Sequence, residues 1–171
     1  PKNIKDAFTR VLKGHIAVAT NNLNKIKTGN LIDKKARAPL NKINLDYGHG
    51  TGHGVGYFLN VHEGPHAISQ YNKINLKEGM ILSNEPGYYE TNKFGIRIEN
   101  LIYVRKNKKK LQFENLTLAP IDKDLIDFKL LSIEEKQYLH EYHKKVYLKL
   151  KNFNSTKEFL RFVIILLKKD S

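Results

Sequence analysis

The stretch DYGHGTGHGVGYFLNVHEGP, residues 46–65, places His49, His53 and His62 in a frame with glycine at every second position from Gly48 to Gly56. Two histidines four apart can share one face of a helix, as in a helical metal pair. The glycines argue against a helix, since each costs its interior about 1 kcal/mol relative to alanine. In an extended chain, residues four apart also share a face. The stretch therefore reads as a glycine-rich extended loop running into a strand, GYFLNV (56–61), with its imidazoles aimed at one place. Glycine offers no side chain to pack, so its repetition implies backbone that must approach something closely.

The flanking sequence supplies helices before this loop and strands after it. Residues 1–20 carry Ile4, Phe8, Val11 and Leu12 at helical spacing. Thr28 is placed to cap a second helix bearing Leu31, Ile32 and Ala36, which Pro39 should bend or end. Downstream, Met80–Ser83 reads as a strand that breaks at Pro86-Gly87. GIRIENLIYV (95–104) alternates well enough for one long strand, with Arg97 and Glu99 on one face and Ile96 and Ile98 on the other. LQFENLTLAPID adds a further strand. Ser132 and Glu135 have capping-box spacing, ahead of a stripe formed by Tyr138, Leu139, Tyr142, Val146 and Leu150. Ser155 and Glu158 offer a second box near the end of the chain. Helices, then strands, then helix predict an α+β fold.

Composition narrows the function classes. At 171 residues with 40% hydrophobic content, the chain can bury one proper core. It has no cysteine, which excludes disulfides and thiolate zinc sites and fits a reducing compartment. No secretory signal is visible, and the longest apolar run, Phe162 to Leu167, is too short to span a bilayer. A net charge of +13 raises the question of nucleic acid. The positive residues are scattered, however, and the one dense run, RKNKKK (105–110), falls between two strand-like segments as a solvated hairpin turn would. No specific nucleic-acid partner is expected. The chain begins at Pro1 and its single methionine is Met80, so a fragment or processed product is expected.

His53, Glu85 and Glu99 are the candidate metal ligands, because one imidazole with two carboxylates suits a first-row divalent ion. Glu85 sits in NEPG, where a strand ends. Glu99, flanked by isoleucine-rich sequence, is expected to be half-buried and to need either a metal or Arg97 as its partner.

GHGTGHGVGYFLNVHEGP, EGMILSNEPGYY and GIRIEN together closely resemble the Xaa-Pro aminopeptidases of the pita-bread metallopeptidase superfamily. The likeness runs from about residue 3, NIKDAFTRVLKGHIA, to about residue 150, and GHGTGHGVG and VHEGP are most similar to the larger, cytosolic aminopeptidase P type. It implies part of a pita-bread fold, a curved antiparallel sheet with flanking helices, over residues 1–150, with 151–171 a divergent tail. It implies a cytoplasmic hydrolase that cleaves the bond before a proline at position two of a peptide, using two divalent metals, Mn²⁺ or alternatively Zn²⁺ or Co²⁺. By the same resemblance His53, Glu85 and Glu99 are metal ligands, and Glu85 also serves as general base. His62 is a proton-shuttling histidine, His49 lines the substrate pocket, and Arg97 steadies the site. The resemblance further implies two aspartate ligands upstream of the first helix. Asp6, Asp33 and Asp46 match non-ligand positions. The chain is therefore expected to be inactive alone and to need a complementary N-terminal chain or an oligomer. The alternative is a non-catalytic remnant or binding module.

Overall fold

In the computed structural model, which describes residues 1–58 and 60–151, the first helix organises the core. Helix α1 (Lys2–Ala19) buries Ala7, Phe8, Val11, Leu12, His15, Ile16 and Val18. That spacing makes a stripe wider than one face, so α1 touches structure on two sides. Val11 and Leu12 are fully buried, and each such side chain contributes roughly 1.5–3 kcal/mol over leaving it exposed. Helix α2 (Gly29–Asn41) packs against α1 through Ile32, Ala36 and Leu40. Thr28 is its N-cap, as its position predicts, but makes no side-chain capping bond. Pro39 lies inside the helix, which ends at Asn41.

Seven short strands follow among the described residues: β1 (Gly52–His53), β2 (Ala67–Ile68), β3 (Ile81–Asn84), β4 (Gly87–Glu90), β5 (Phe94–Arg97), β6 (Asn100–Asn107) and β7 (Lys110–Asn115). All pairings are antiparallel: β1 with β2, β4 with β5, and β3–β6–β7 in that order. An isolated bridge, Gly54↔Leu82, joins the histidine loop to β3. RKNKKK forms the β6–β7 hairpin, with Lys108 at a φ of 55°.

Helix α3 (Ile133–Leu150) opens on the predicted capping box, with Ser132 and Glu135 each bonding the other's backbone N–H. One apolar cluster joins α1, α3 and the β4–β5 hairpin through residues such as Phe8, Leu12, Ile96, Leu139 and Val146. The second joins the other end of α1 and α2 to β3, β6 and β7 through Val18, Ile32, Leu82, Ile102 and Val104. Among the described residues no helix is long and apolar enough to cross a membrane.

The structure corrects four sequence expectations. GYFLNV is not a strand among its described residues. Gly56 N–H bonds back to the Asn60 carbonyl, Phe58 has a φ of 55°, and Tyr57, Phe58 and Val61 are exposed. The chain doubles back there, so no ladder can form. Residues 95–104 are two strands, because the partner of the segment changes: β5 pairs with β4 through Arg97, and β6 pairs with β3 from Asn100. Between them Ile98 N–H reaches the Pro86 carbonyl at 3.3 Å. The alternation survives the break, with Ile96 and Ile98 buried and Arg97 and Glu99 outward. Glu99 is nevertheless exposed rather than half-buried. The first strand of this sheet is Ile81–Asn84, one residue later than predicted. The second capping box, at Ser155, lies outside the described residues.

Candidate active site

Two of the glycines explain the histidine loop. A Cβ on Gly52 would lie 1.9 Å from the Ser83 carbonyl oxygen, and one on Gly54 would lie 2.1 Å from that of Glu63. Neither contact is tolerable, so only glycine lets the loop run against β3 and residue 63. Gly48, by contrast, has nothing within 4 Å, so close approach governs only part of the frame.

That close approach puts His53 beside the end of β3. Its backbone N–H donates to Ser83 Oγ at 2.9 Å, and Ser83 Oγ donates to Glu85 Oε1 at 2.8 Å. The Glu85 N–H donates to the Thr51 carbonyl at 2.8 Å. His53 Nδ1 lies 3.0 Å from the Gly54 carbonyl, and a carbonyl only accepts, so Nδ1 carries the proton. His53 Nε2 then presents its lone pair to Glu85 Oε1 at 3.4 Å. Two acceptors facing each other call for a shared cation, either a proton on the ring or a metal ion. A histidine whose other nitrogen is bonded to a carbonyl is oriented as metal-binding histidines usually are. The nitrogen–oxygen donor pair fits one edge of a first-row divalent site.

Around this pair lies a cleft of about 250 Å³ lined by His49, His53, His62, Glu85 and Arg97. The His62 ring stands edge-on to His53, centroids 4.0 Å apart at 88°, on an exposed residue. Arg97 NH1 is 3.4 Å from Glu85 Oε2, so Arg97 pairs with Glu85. A directed chain crosses the cleft wall. Arg97 Nε donates to the Tyr89 hydroxyl at 2.8 Å, Tyr89 donates to His49 Nε2 at 2.9 Å, and His49 Nδ1 donates to the Gly50 carbonyl at 2.8 Å. The hydrogen bond to Tyr89 is the main reason the Arg97 pKa is raised.

The sequence-predicted residues are thus partly brought together. His53, Glu85, His62, His49 and Arg97 share the cleft. Glu99 does not join them: it lines a neighbouring cavity of about 220 Å³ with Phe8, Ile98 and Asp122, and Arg97 borders both spaces. Among the described residues no three histidine, aspartate or glutamate side chains lie close enough to hold one metal ion. Asp6, Asp33 and Asp46 each pair with an arginine elsewhere. Sequence reasoning missed Ser83 and Tyr89. Ser83 is two residues before Glu85 on an extended segment, so alternation alone sets both on one face. Tyr89 closes the motif EGMILSNEPGYY, but nothing local pairs it with His49, forty residues earlier.

An antiparallel α+β scaffold thus opens a cleft in which an imidazole faces a carboxylate, a donor pair that suits a divalent metal ion. The chain belongs to metallopeptidase family M24, which matches residues 1–106, and the C-terminal region of peptidase M24 matches residues 109–162. It is 52% identical over 154 residues to a probable Xaa-Pro aminopeptidase P of Laccaria bicolor, covering 84% of this chain and 24% of that protein. A probable Xaa-Pro aminopeptidase P of Coprinopsis cinerea is 49% identical, with 88% and 26% covered. Among solved structures, the X-prolyl aminopeptidase of Caenorhabditis elegans, a cytosolic enzyme with a di-nuclear active site, superposes with a TM-score of 0.85 at 36% identity. That match covers 98% of this chain and 29% of the other. Prolidase from Pyrococcus furiosus gives a TM-score of 0.57 at 31% identity, over 66% of this chain and 32% of the other. The chain thus spans about a quarter of the length of the curated relatives it matches. The fold is the pita-bread kind expected from the sequence.

Proposed function

We propose that this chain is the C-terminal portion of the catalytic domain of a metal-dependent aminopeptidase that hydrolyses the bond between the first residue of a peptide and a proline at position two. The observation that carries the reading is the pair of facing acceptors, His53 Nε2 and Glu85 Oε1, in a cleft shared with His49, His62 and Arg97. His53 and Glu85 would hold the metal, and the family resemblance assigns Glu99 as a third ligand. A bound divalent metal, for which manganese is our choice, supplies Lewis-acid activation of water and stabilises charge on the scissile carbonyl oxygen. Glu85 accepts the proton of the attacking water, since Ser83 and Arg97 fix its carboxylate. His62, exposed at the mouth, is free to move a proton between solvent and the scissile group. His49, with Nδ1–H fixed on Gly50, holds the wall against which the peptide lies. A cytoplasmic setting accords with the absence of cysteine and with the C. elegans relative.

The further ligands implied by the resemblance would come from a complementary chain or an upstream segment. We therefore expect residues 1–171 alone, with excess Mn²⁺, to leave a proline-containing peptide intact, and activity to arise when a chain carrying the family's upstream half is added. Robust turnover by the chain alone would refute the dependence on a second half. Silence with the upstream half present would favour the non-catalytic reading, which the separation of Glu99 from His53 and Glu85 also supports.

A further inference from the structure

Helix α2 grips the histidine loop through one guanidinium. Arg37 Nε donates to Asp33 Oδ2, one turn earlier, at 2.8 Å. Its NH1 donates to Asp46 Oδ1 at 2.8 Å and to the Tyr47 carbonyl at 2.7 Å, and its NH2 donates to the His49 carbonyl at 2.6 Å. The guanidinium carbon also lies 4.0 Å from the centroid of the Tyr47 ring. From the other side of the pair, Asp33 Oδ1 accepts the Thr51 hydroxyl at 2.6 Å and the Thr51 N–H at 3.3 Å. The Tyr47 hydroxyl completes the web on Thr51 Oγ1. The loop is thus held on both sides of His49, and the Thr51 carbonyl passes the grip directly to the backbone of Glu85.

The pair is buried: the side chain of Asp33 is 2% exposed and that of Arg37 is 13% exposed. Burial works against the charge on Arg37, but the hydrogen bonds to Asp33 and Asp46 outweigh it and hold its pKa above the ordinary arginine range. A buried ion pair is a poor source of net stability, because apolar residues of similar volume often do as well or better. What a planar five-donor fork provides is geometry. Here its acceptors are two carboxylates and two consecutive portions of the loop that carries the imidazoles.

We propose that Arg37 and Asp33 are positioning residues: they fix the backbone of residues 46–51 so that His49 Nε2 meets the Tyr89 hydroxyl and His53 Nε2 faces Glu85. The imidazole tautomers follow from this, because each Nδ1–H is committed to a carbonyl of the same loop, Gly50 for His49 and Gly54 for His53. Lysine at position 37 keeps the charge and loses the fork. The functional meaning of the proposal rests on the reading in the preceding subsection, but its test needs neither metal nor turnover.

The test is ¹⁵N correlation spectroscopy of the histidine rings in residues 1–171, with chelator present, at one pH at which the rings are neutral. His49 and His53 should each show a single Nδ1–H tautomer. In Arg37→Lys the His49 ring should lose that single state and become a mixture, and His53 should follow to a smaller extent. His66 is the internal marker of an intact fold, since its Nε2 donates to the Ile81 carbonyl at 2.9 Å and not to the Arg37–Asp33 pair. A single Nδ1–H tautomer at His49 in Arg37→Lys, with His66 unchanged, overturns the proposal. If Arg37→Lys also loses the His66 signal, Thr51→Val carries the same test, because it removes the hydroxyl that joins Asp33 and Tyr47 at nearly constant volume. Lost tautomer selection in a chain that is inactive even with its upstream half would support the clamp and refute the peptidase reading. Retained selection in an active enzyme would do the reverse.

Discussion

Acidification from pH 7 to pH 5 should destabilise this protein by about 4 kcal/mol, through two histidines that take no part in the cleft. His15 and His143 are both fully buried. Among the described residues neither ring nitrogen of His15 has a hydrogen-bond partner. His143 Nε2 accepts the Ile121 N–H at 3.1 Å, and its Nδ1 is unpartnered. Burial lowers both pKa values from 6.5 to about 4. Between those two values the unfolded chain binds more protons than the folded one, so stability falls as pH falls. The contribution is intact above 6.5 and lost progressively down to about 4. At pH 5 each ring costs the native state about 2 kcal/mol relative to pH 7. The sum is a large part of the roughly 5–15 kcal/mol that domains of this size possess. Urea unfolding followed by circular dichroism at the two pH values measures it, with the m-value as a check that the same transition is compared. His15→Leu fills a similar volume without a titrating group, and His143→Gln keeps an acceptor for Ile121. Each should remove about half of the pH-dependent loss, or roughly 2 kcal/mol. If His15→Leu loses as much stability between pH 7 and pH 5 as the parent does, the buried ring is not the cause and the argument fails.

Two further outcomes concern local structure. Gly52→Ala drives a methyl group into the Ser83 carbonyl and should cost about 3 kcal/mol or more, a fall in Tm of roughly 6–12 °C by thermal denaturation; a change of less than about 1 kcal/mol would show that β1 can yield. Ser132→Ala should cost about 1 kcal/mol because its capping box is complete. Thr28→Ala should stay within about 0.5 kcal/mol, since Thr28 makes no capping bond, and equal losses at the two caps would contradict that distinction.

The parts of this molecule that were legible in sequence are those set by a local period. The stripe of α1, the box and stripe of α3, and the alternation of Ile96, Arg97, Ile98 and Glu99 depend on backbone geometry within a few residues, and all appear as read. GYFLNV was misread because its apolar residues look like a strand only if something covers them, and Tyr57, Phe58 and Val61 are covered by nothing among the described residues. In the cleft, the His53–Glu85 pairing was legible from motif residues. The residues of α2 that hold the histidine loop were not: Arg37 and Asp33 reach it from a segment whose own sequence carries no mark of the site.

Glu85 and Glu99 share a strand register yet line different spaces. The pairs on either side of the strand break, Asn84↔Asn100 and Gly87↔Arg97, keep one register, and continuing it would set Glu85 directly opposite Glu99. The ladder stops at that place. Like charges facing across two strands are unfavourable, and Pro86 has no N–H to donate. The gap is spanned by the bond from Ile98 to the Pro86 carbonyl, while Arg97 swings to Glu85 and separates the two carboxylates into adjoining cavities. The Arg97 guanidinium, a cation, borders both spaces. A register read from sequence specifies which residues stand opposite one another, and the charge placed between them decides whether their side chains meet.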